Sequence, residues 1–342
     1  MIDLATLDDV PAILALANWA ATNTTANFAT GEEPLTEWIA SWQATREYHP
    51  WLVARENGKV VGFAKSAPHR ARGAYRWMAE VSVYVDPQRH ERGLGRALYD
   101  RLLPTLRAQG YVTLLGGITS PNPASERLHA AVGFVRCGTY HRAGWKFGQW
   151  HDVGYWERHL QRADLPPQDL LPVREVWPAI HAWCTESAGL AVERVELGSK
   201  DAEDLIGGLN RELAAAYPEP GANHFRLEAS EVAVSRGAFV IAYLDRRPVA
   251  CGAFRTMDET SAELKRMYVV PRWRGLGISK RVLRALEEHA ASLHVKRMVL
   301  ETGTRQSEAL ALYARNGYRR IPLFGEYVGS PCSICMEKSL TA

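Results

Sequence analysis

The chain of 342 residues has few cysteines, no long apolar run and almost no net charge. Its five cysteines, Cys137, Cys184, Cys251, Cys332 and Cys335, are odd in number and scattered. They make no disulfide framework and fit a reducing compartment. Cys332 and Cys335 form a C-x-x-C. The surrounding Ser333-Ile-Cys-Met336 reads as a strand, where residues three apart face opposite sides, so a redox or zinc pair is not expected. No metal is expected. No apolar stretch approaches the roughly 20 residues that span a bilayer. The first twenty residues carry Asp3, Asp8 and Asp9 and no basic segment, so no export signal is read and a cytoplasmic protein is expected. Lys and Arg exceed Asp and Glu by only 41 − 38 = +3. That balance lacks the basic footprint of a nucleic-acid-binding protein. Neither G-x-G-x-x-G nor a Walker A motif is present, so no dinucleotide or nucleoside triphosphate site is indicated.

What is present is enough for two cores. The length exceeds what one compact core serves, and 46% hydrophobic with 23% charged residues excludes a disordered chain. Eleven tryptophans are many, and pockets for flat or cationic ligands are one use for them.

One pattern occurs twice. In the first copy a strand at Ile2–Ala5 precedes a helix that Asp8 or Asp9 can cap and Pro11 can open. An amphipathic segment spans Pro34–Arg46. Trp51–Arg55 and Val60–Ala64 flank Asn57-Gly58, a hairpin signal. Glu80–Val85 then runs through a glycine loop into a helix with Leu94, Leu98, Leu102 and Leu106 on one face. Pro104 inside it is expected to kink or end it. A strand at Tyr111–Ile118, a short helix at Asn122–Val132 and closing strands up to Trp156 follow. The second copy repeats the order: strand Val192–Leu197, helix Asp201–Tyr217, hairpin Phe239–Arg255, strand Glu263–Val269, glycine loop and helix, strand Met298–Glu301, helix Ser307–Arg315, and closing strands. Between them, Gln161–Pro172 holds three prolines and reads as a semi-rigid linker, followed by a helix at Arg174–Ser187. The expected organisation is 1–160, a connector at 161–189, and 190–342. Strands and helices that do not strictly alternate indicate α+β layers with a mixed sheet.

The chemistry centres on two strand–loop–helix junctions. Tyr84-Val85 leads to Arg92-Gly-Leu-Gly95, and Tyr268-Val269 leads to Arg274-Gly-Leu-Gly277. Glycines there let backbone N–H groups and a helix dipole face a pyrophosphate. A tight strand-to-helix turn alone would also use them. Each junction is followed by a short helix and a Gly-Phe or Gly-Tyr pair (Gly133-Phe134, Gly317-Tyr318).

Both copies resemble GCN5-related N-acetyltransferases (GNAT), whose loop pattern is Q/R-x-x-G-x-G/A. Counted from Tyr-Val, the second copy gives Arg274-x-x-Gly277-x-Ser279 and the first His90-x-x-Gly93-x-Gly95. A shifted reading, Arg92-x-x-Gly95-x-Ala97, also fits, but only the first aligns Leu98 with Val282. The resemblance implies two α+β domains, each a mixed, mostly antiparallel twisted sheet flanked by helices, with acetyl-CoA as co-substrate. It implies pantetheine along Val83–Val85 and Met267–Val269. Pyrophosphate would lie on His90, Arg92, Gly93, Leu94, Gly95 and Arg96 in one copy, and on Arg274, Gly275, Gly277, Ile278 and Ser279 in the other, with Asn122 an added contact in the first.

Residues 1 to about 160 resemble phosphinothricin acetyltransferases throughout. The matches are Thr24–Phe28, Tyr48–Val53, Glu80–Val85, Asn122–His129 and Ala143-Gly-Trp-Lys-Phe-Gly-Gln-Trp-His-Asp152. An acceptor resembling glutamate or methionine is implied, with a phosphinate, sulfoximine or sulfone side chain. The resemblance implies Glu80 as general base and Phe28, Arg72, Tyr75, Trp145 and Lys146 on the acceptor side. His69 stands where the family usually has Trp. The second copy resembles another branch through Glu301–Gln306, Leu312-Tyr313 and Arg320–Tyr327, which implies Tyr313 as general acid. Gln306 stands where many relatives carry Asn.

The residues fit the chemistry. An ammonium acceptor must lose a proton, so a carboxylate must stand near the thioester. Glu80 and Glu263 lie five and six residues ahead of Val85 and Val269. A strand N–H freed by a bulge can serve the oxyanion. Bland readings stay beside these: strand-edge acids for Glu80 and Glu263, a core tyrosine for Tyr313, a packed helix histidine for His129, simple core for the Trp145–Trp150 segment. The expectation is a tandem N-acetyltransferase acting on a small amino-acid-like amine, with an unknown amine for the second half. The alternatives are one half that only binds acetyl-CoA or a metabolite and regulates, or a mycothiol-synthase-like tandem. A homodimer stays open.

Overall fold

Thr6 starts the first helical turn through Asp9, whose carboxylate accepts from the Thr6 amide (2.7 Å) and hydroxyl (2.9 Å) and from Arg55 (2.7 Å). Burial works against the charge of Asp9, but these donors outweigh it and hold the carboxyl below its usual range. The computed structural model describes residues 1–90, 92–161, 166–186, 189–219 and 227–340. It divides into two units, 1–186 and 187–342.

The first unit runs β1 (Ile2–Leu4), α1 (Val10–Asn23), α2 (Leu35–Thr45), β2 (Trp51–Glu56), β3 (Lys59–Pro68), β4 (Met78–Val85), α3 (Leu94–Gln109), β5 (Thr113–Ser120), α4 (Pro123–Ala131), β6 (Val135–Lys146), β7 (Gln149–His159) and α5 (Val173–Glu186). Its seven strands are ordered β1-β2-β3-β4-β5-β7-β6, and only β4–β5 pair in parallel. The second unit runs β8 (Leu190–Arg194), α6 (Lys200–Ala216), β9 (Gly237–Leu244), β10 (Arg247–Thr256), β11 (Ser261–Val269), α7 (Ile278–Ser292), β12 (Arg297–Gly303), α8 (Ser307–Arg315), β13 (Arg319–Ile321) and β14 (Ser333–Ser339). Its sheet order, β8-β9-β10-β11-β12-β14-β13 read from the opposite end, repeats the first, with β11–β12 as the parallel pair. Both are mixed sheets flanked by helices, the α+β architecture expected.

Each sheet is packed on two faces. On one side of the first, Ile13, Ala17, Trp38 and Trp42 meet Val53 and Phe63. On the other, Leu98, Leu102 and Leu106 of α3 meet Val81 and Leu114. Pro104 does not end α3. The Asp100 carbonyl, which loses its helical partner to the proline, has the Cys184 thiol 4.0 Å away.

The connector expected at 161–189 is corrected by the structure. Gln168 accepts from the Trp77 indole (2.8 Å), and Leu171 exchanges backbone and side-chain bonds with Gln109 (2.8 and 3.0 Å). Val173 and Trp177 of α5 belong to the same apolar cluster as Leu98 and Leu102. The described part of this stretch is strapped to the first unit. Residues 162–165 and the expected helix end at Ser187 lie outside the described residues. Among the described residues no helix is long and apolar enough to cross a membrane.

If α5 is part of the first core, Trp177→Ala should destabilise the first unit by about 3–5 kcal/mol, the usual cost of a buried tryptophan. Urea titration of the intact protein checks this, and an unchanged first transition would make α5 a mere connector.

Candidate active sites

Both sheets fork. β4 pairs with β5 only at Met78–Glu80 against Thr113–Leu115. Beyond that point β4 keeps its ladder with β3 as far as Val85, and β5 keeps its ladder with β7 as far as Ser120. Residues 81–85 thus present an open strand edge inside the sheet. β11 does the same: it pairs with β12 at Ser261–Leu264 and leaves 265–269 open.

A helix begins at the end of each open edge. Gly93 and Gly277 sit at the N-caps of α3 and α7 with φ of 75° and 76°, a conformation that favours glycine. Neither cap has a side-chain acceptor. In α3 the first intrahelical bond is Ala97 to Gly93, so the amides of Leu94, Gly95 and Arg96 point out of the helix end unpaired with it. Five residues after the strand, His90 Nε2 donates to the Val85 carbonyl (3.0 Å), as Arg274 Nε does to Val269 (2.9 Å). His90 and Arg274 therefore hold equivalent positions, which is the first of the two alignments above.

The loop cations are not equally free. Arg92 is exposed and its guanidinium has no partner among the described residues. Arg96 is tied to Asp100 (2.8 Å) and the Ala131 carbonyl (3.2 Å). Arg274 is paired with Glu212 (2.5 Å). Asn122 caps α4 by accepting from the Ser125 amide (3.2 Å).

Side-chain alternation sends Val81, Val83 and Val85 toward α3, and Glu80, Ser82 and Tyr84 toward α1 and α2. Glu80 is half exposed. Its Oε1 is 2.8 Å from His69 Nδ1, and Oε2 has no partner among the described residues. Tyr75 stands edge-on to His69, with ring centres 5.5 Å apart. Arg70, Arg72 and Tyr75 line a pocket beside it, and the Arg72 guanidinium has no partner among the described residues. Tyr155 of β7 belongs to this group and was not read from the sequence. Burial first, then Tyr140 and Glu80, push its hydroxyl up.

Other expected acceptor residues lie apart from this group. Lys146 is buried and donates to the carbonyls of Ala21 and Asn27. It staples the loop after α1, and desolvation holds its ammonium below the usual lysine range. Phe28 lies on Gly144, where an added Cβ would come 2.4 Å from its ring. The same loop meets the fork: Thr25 accepts from Thr119 of β5 (2.7 Å) and Ala26 from Tyr84 of β4 (3.4 Å). Trp145 is exposed and packs on Trp150 across a hairpin turn whose residues Phe147 and Gly148 have positive φ. Neither Trp145 nor Lys146 touches Glu80, Arg72 or Tyr75 among the described residues. His129 is buried between the Ser125 carbonyl (2.8 Å) and the Tyr99 hydroxyl (3.0 Å), and desolvation lowers its proton affinity. It is a packed helix histidine.

The second fork is filled differently. β11 carries a bulge at Arg266, with φ of 58°, opposite the step from Cys251 to Ala253. β4 has no such shift. The bulge is the one residue by which the two spacings, five and six, differ. Glu263 is sealed, 1% exposed, against Arg255 (2.7 Å), Lys265 (3.4 Å) and the Tyr327 hydroxyl (2.5 Å). Arg255 also reaches Glu231, and Lys265 reaches Glu326 (3.1 Å). Both oxygens of Glu263 are engaged, so an acceptor amine has no access to the base expected there. Tyr313 is buried beside the Tyr318 ring, and burial followed by Glu301 pushes its hydroxyl up. Glu301, just past the last β11–β12 pair, is pushed up by burial and was not singled out in the sequence. Among the described residues no cluster of three or more His, Cys, Asp or Glu could hold a metal.

Fold and site together define a tandem α+β protein of the forked-sheet class. Residues 13–134 and 204–318 match the acetyltransferase (GNAT) family, and the chain belongs to that family. Its first half is similar to the phosphinothricin N-acetyltransferase of Streptomyces viridochromogenes, 39% identical over 172 residues, half of this chain and 93% of the relative. It is also similar to the L-methionine sulfoximine/L-methionine sulfone acetyltransferase of Salmonella typhimurium, 37% identical over 37% of this chain and 75% of the relative. A phosphinothricin acetyltransferase structure from Sinorhizobium meliloti in complex with acetyl-CoA covers 50% of this chain and 94% of its own, with 27% identity and a TM-score of 0.48.

The sealed network makes a stability prediction. Glu263→Ala takes from Arg255 and the buried Lys265 their shared carboxylate, and should cost the second unit about 3–5 kcal/mol. Denaturant unfolding measures it, and a loss below the typical surface-pair value would mean that water already reaches the network.

Proposed function

We propose that the first unit transfers the acetyl group of acetyl-CoA to the amine of a small amino-acid-like acceptor, of the phosphinothricin or methionine sulfone and sulfoximine type. One observation carries the reading: a half-exposed carboxylate, Glu80, at the root of a strand fork whose open edge runs to an uncapped, glycine-led helix. The named activities of the relatives of this half support it. The open edge at Val83–Val85 suits an extended pantetheine, and the amides of Leu94 to Arg96 with the exposed Arg92 suit its phosphates. Acetyl-CoA would supply the activated acyl group. Glu80 then takes the proton that the acceptor ammonium must lose before its lone pair can attack. Arg72 offers a bidentate donor to the acceptor's carboxylate, and Tyr75 walls the same pocket.

For the second unit we infer acetyl-CoA binding at the β11 edge and the α7 N-terminus. The sealing of Glu263 favours a unit that binds and regulates over one that transfers through that residue. Should it transfer an acyl group, Glu301 and Tyr313 are the groups left to exchange protons there.

Two measurements test this. Glu80→Gln should lower kcat by about 10²-fold at neutral pH while the acetyl-CoA Kd stays unchanged. Full turnover by that variant would remove Glu80 from the mechanism. Calorimetry on the intact chain should count two acetyl-CoA sites, one lost in Gly93→Glu/Gly95→Glu and the other in Gly277→Glu, since an acid there repels phosphate. A single site, abolished by the first variant alone, would leave the second unit without a cofactor role.

A further inference from the structure

Glu80 is a long side chain on a strand, half in solvent, with several rotamers open to it. A general base held that loosely loses much of its advantage, because catalysis depends on the oxygen being within reach of the proton. Nothing in β4 itself fixes it: the residue opposite on β3 is Ala67, which has no polar side chain. The fixing group comes from the turn after β3.

His69 is well packed, with its side chain 14% exposed, and its Nδ1 lies 2.8 Å from Glu80 Oε1. On the far side of the ring, Arg70 Nε donates to His69 Nε2 (3.3 Å). A guanidinium can only donate, so Nε2 must accept and the ring proton must sit on Nδ1, aimed at Glu80. Arg70 is held in turn over the Tyr75 ring at 5.8 Å, and Tyr75 meets the imidazole edge-on. Tyr155 of β7 feels the charge of the same carboxylate, after burial and Tyr140, and its hydroxyl is pushed up. Among the described residues, the charged and titratable groups around the pair are Arg70, Arg72, Tyr75 and Tyr155.

We propose that His69 is a positioning residue for Glu80: its Nδ1–H holds Oε1 and leaves Oε2 turned to the acceptor ammonium, with Arg70 fixing the tautomer. The inference rests on the reading of Glu80 as base. The imidazole keeps its own proton throughout, and the proton that leaves the ammonium goes to Oε2. His69 acts only as a hydrogen-bond donor to Oε1 and takes no proton from the acceptor.

The test compares His69→Leu, His69→Asn and Glu80→Gln in the full chain. Acetyl-CoA is the donor, and the acceptor is phosphinothricin or methionine sulfone, whichever turns over faster. Leucine removes the donor. Asparagine retains an N–H near the position of Nδ1. His69→Leu should lower kcat roughly tenfold with KM for acetyl-CoA unchanged, and His69→Asn should recover most of that loss. Combining His69→Leu with Glu80→Gln should cost no more than Glu80→Gln alone, because the two act as one unit. Wild-type kcat in His69→Leu, an Asn variant as poor as the Leu variant, or multiplicative losses in the double variant would each overturn the proposal. If Glu80→Gln itself keeps full turnover, it is the base reading that has failed. A second readout does not need activity: long-range proton–nitrogen spectra of protein with labelled histidine should find His69 as the Nδ1–H tautomer. The Nε2–H tautomer there would overturn the proposal outright.

Discussion

Everything in each unit hangs on a parallel ladder that stops early. β4 and β5 share three paired residues and then part, although Val81–Val85 is as good a strand sequence as any in the chain. What parts them is the outer ladders, which run on with β3 and β7. Two strand edges then face each other within one sheet, with backbone N–H and C=O groups unmet. Such groups cost free energy unless water or another chain of amides meets them. The fork is therefore a site before any side chain is considered. It also sets the positions of the rest. Glu80 is the last residue of β4 paired with β5, and it also pairs with β3, so its backbone is fixed from both sides. The open edge ends at Val85, and the loop from there delivers the uncapped end of α3.

The same fork in the second unit is filled with different chemistry. Glu80 meets an imidazole and solvent; Glu263, at the matching register opposite Arg255, meets two cations and a phenol. Two carboxylates at one strand position thus have opposite characters, and neighbours from other elements decide which. Arg255 comes from β10 and Tyr327 from the segment before β14, and their partners Glu231 and Glu326 complete a cluster of two cations and three carboxylates. Glu263 and Lys265, the two buried members, are stable there only while paired, since their charges have left water. That requirement ties Glu263 to the fold and removes it from exchange with a substrate.

Local signals were legible in the sequence and long-range ones were not. The hairpin at Asn57-Gly58, the glycine-led helices and the boundaries of α8 follow from turn chemistry and periodicity over a few residues. The difference in spacing between Glu80 and Glu263 was visible as well, but only the register assigns it to a bulge at Arg266. The role of α5 was missed because its partner, α3, lies some seventy residues away, and a proline-rich stretch between them looks like a spacer until Trp77 and Gln109 are seen to bind it. The partners of Lys146 were out of reach of the sequence for a similar reason. A lysine between aromatics at a hairpin tip suggests a ligand contact, and the carbonyls it serves, at Ala21 and Asn27, are more than a hundred residues earlier.

The loop motif carries the last lesson. Read as chemistry, the change from Arg274 to His90 suggests a weaker phosphate site in the first unit. The geometry argues otherwise. Both side chains spend a ring or guanidinium N–H on the final carbonyl of the preceding strand, so their shared task is to end that strand where the helix must begin. Any donor of suitable reach fills that task. The remaining charge of Arg274 is taken by Glu212, whereas the first loop has an exposed Arg92, without a partner among the described residues, beside amides that the helix leaves free. Attraction for phosphate at such a site comes from the helix end and from cations that are not already paired. By that criterion the cations that count are the exposed Arg92 at the start of the first helix and the exposed Lys280 at the start of the second, rather than His90 and Arg274.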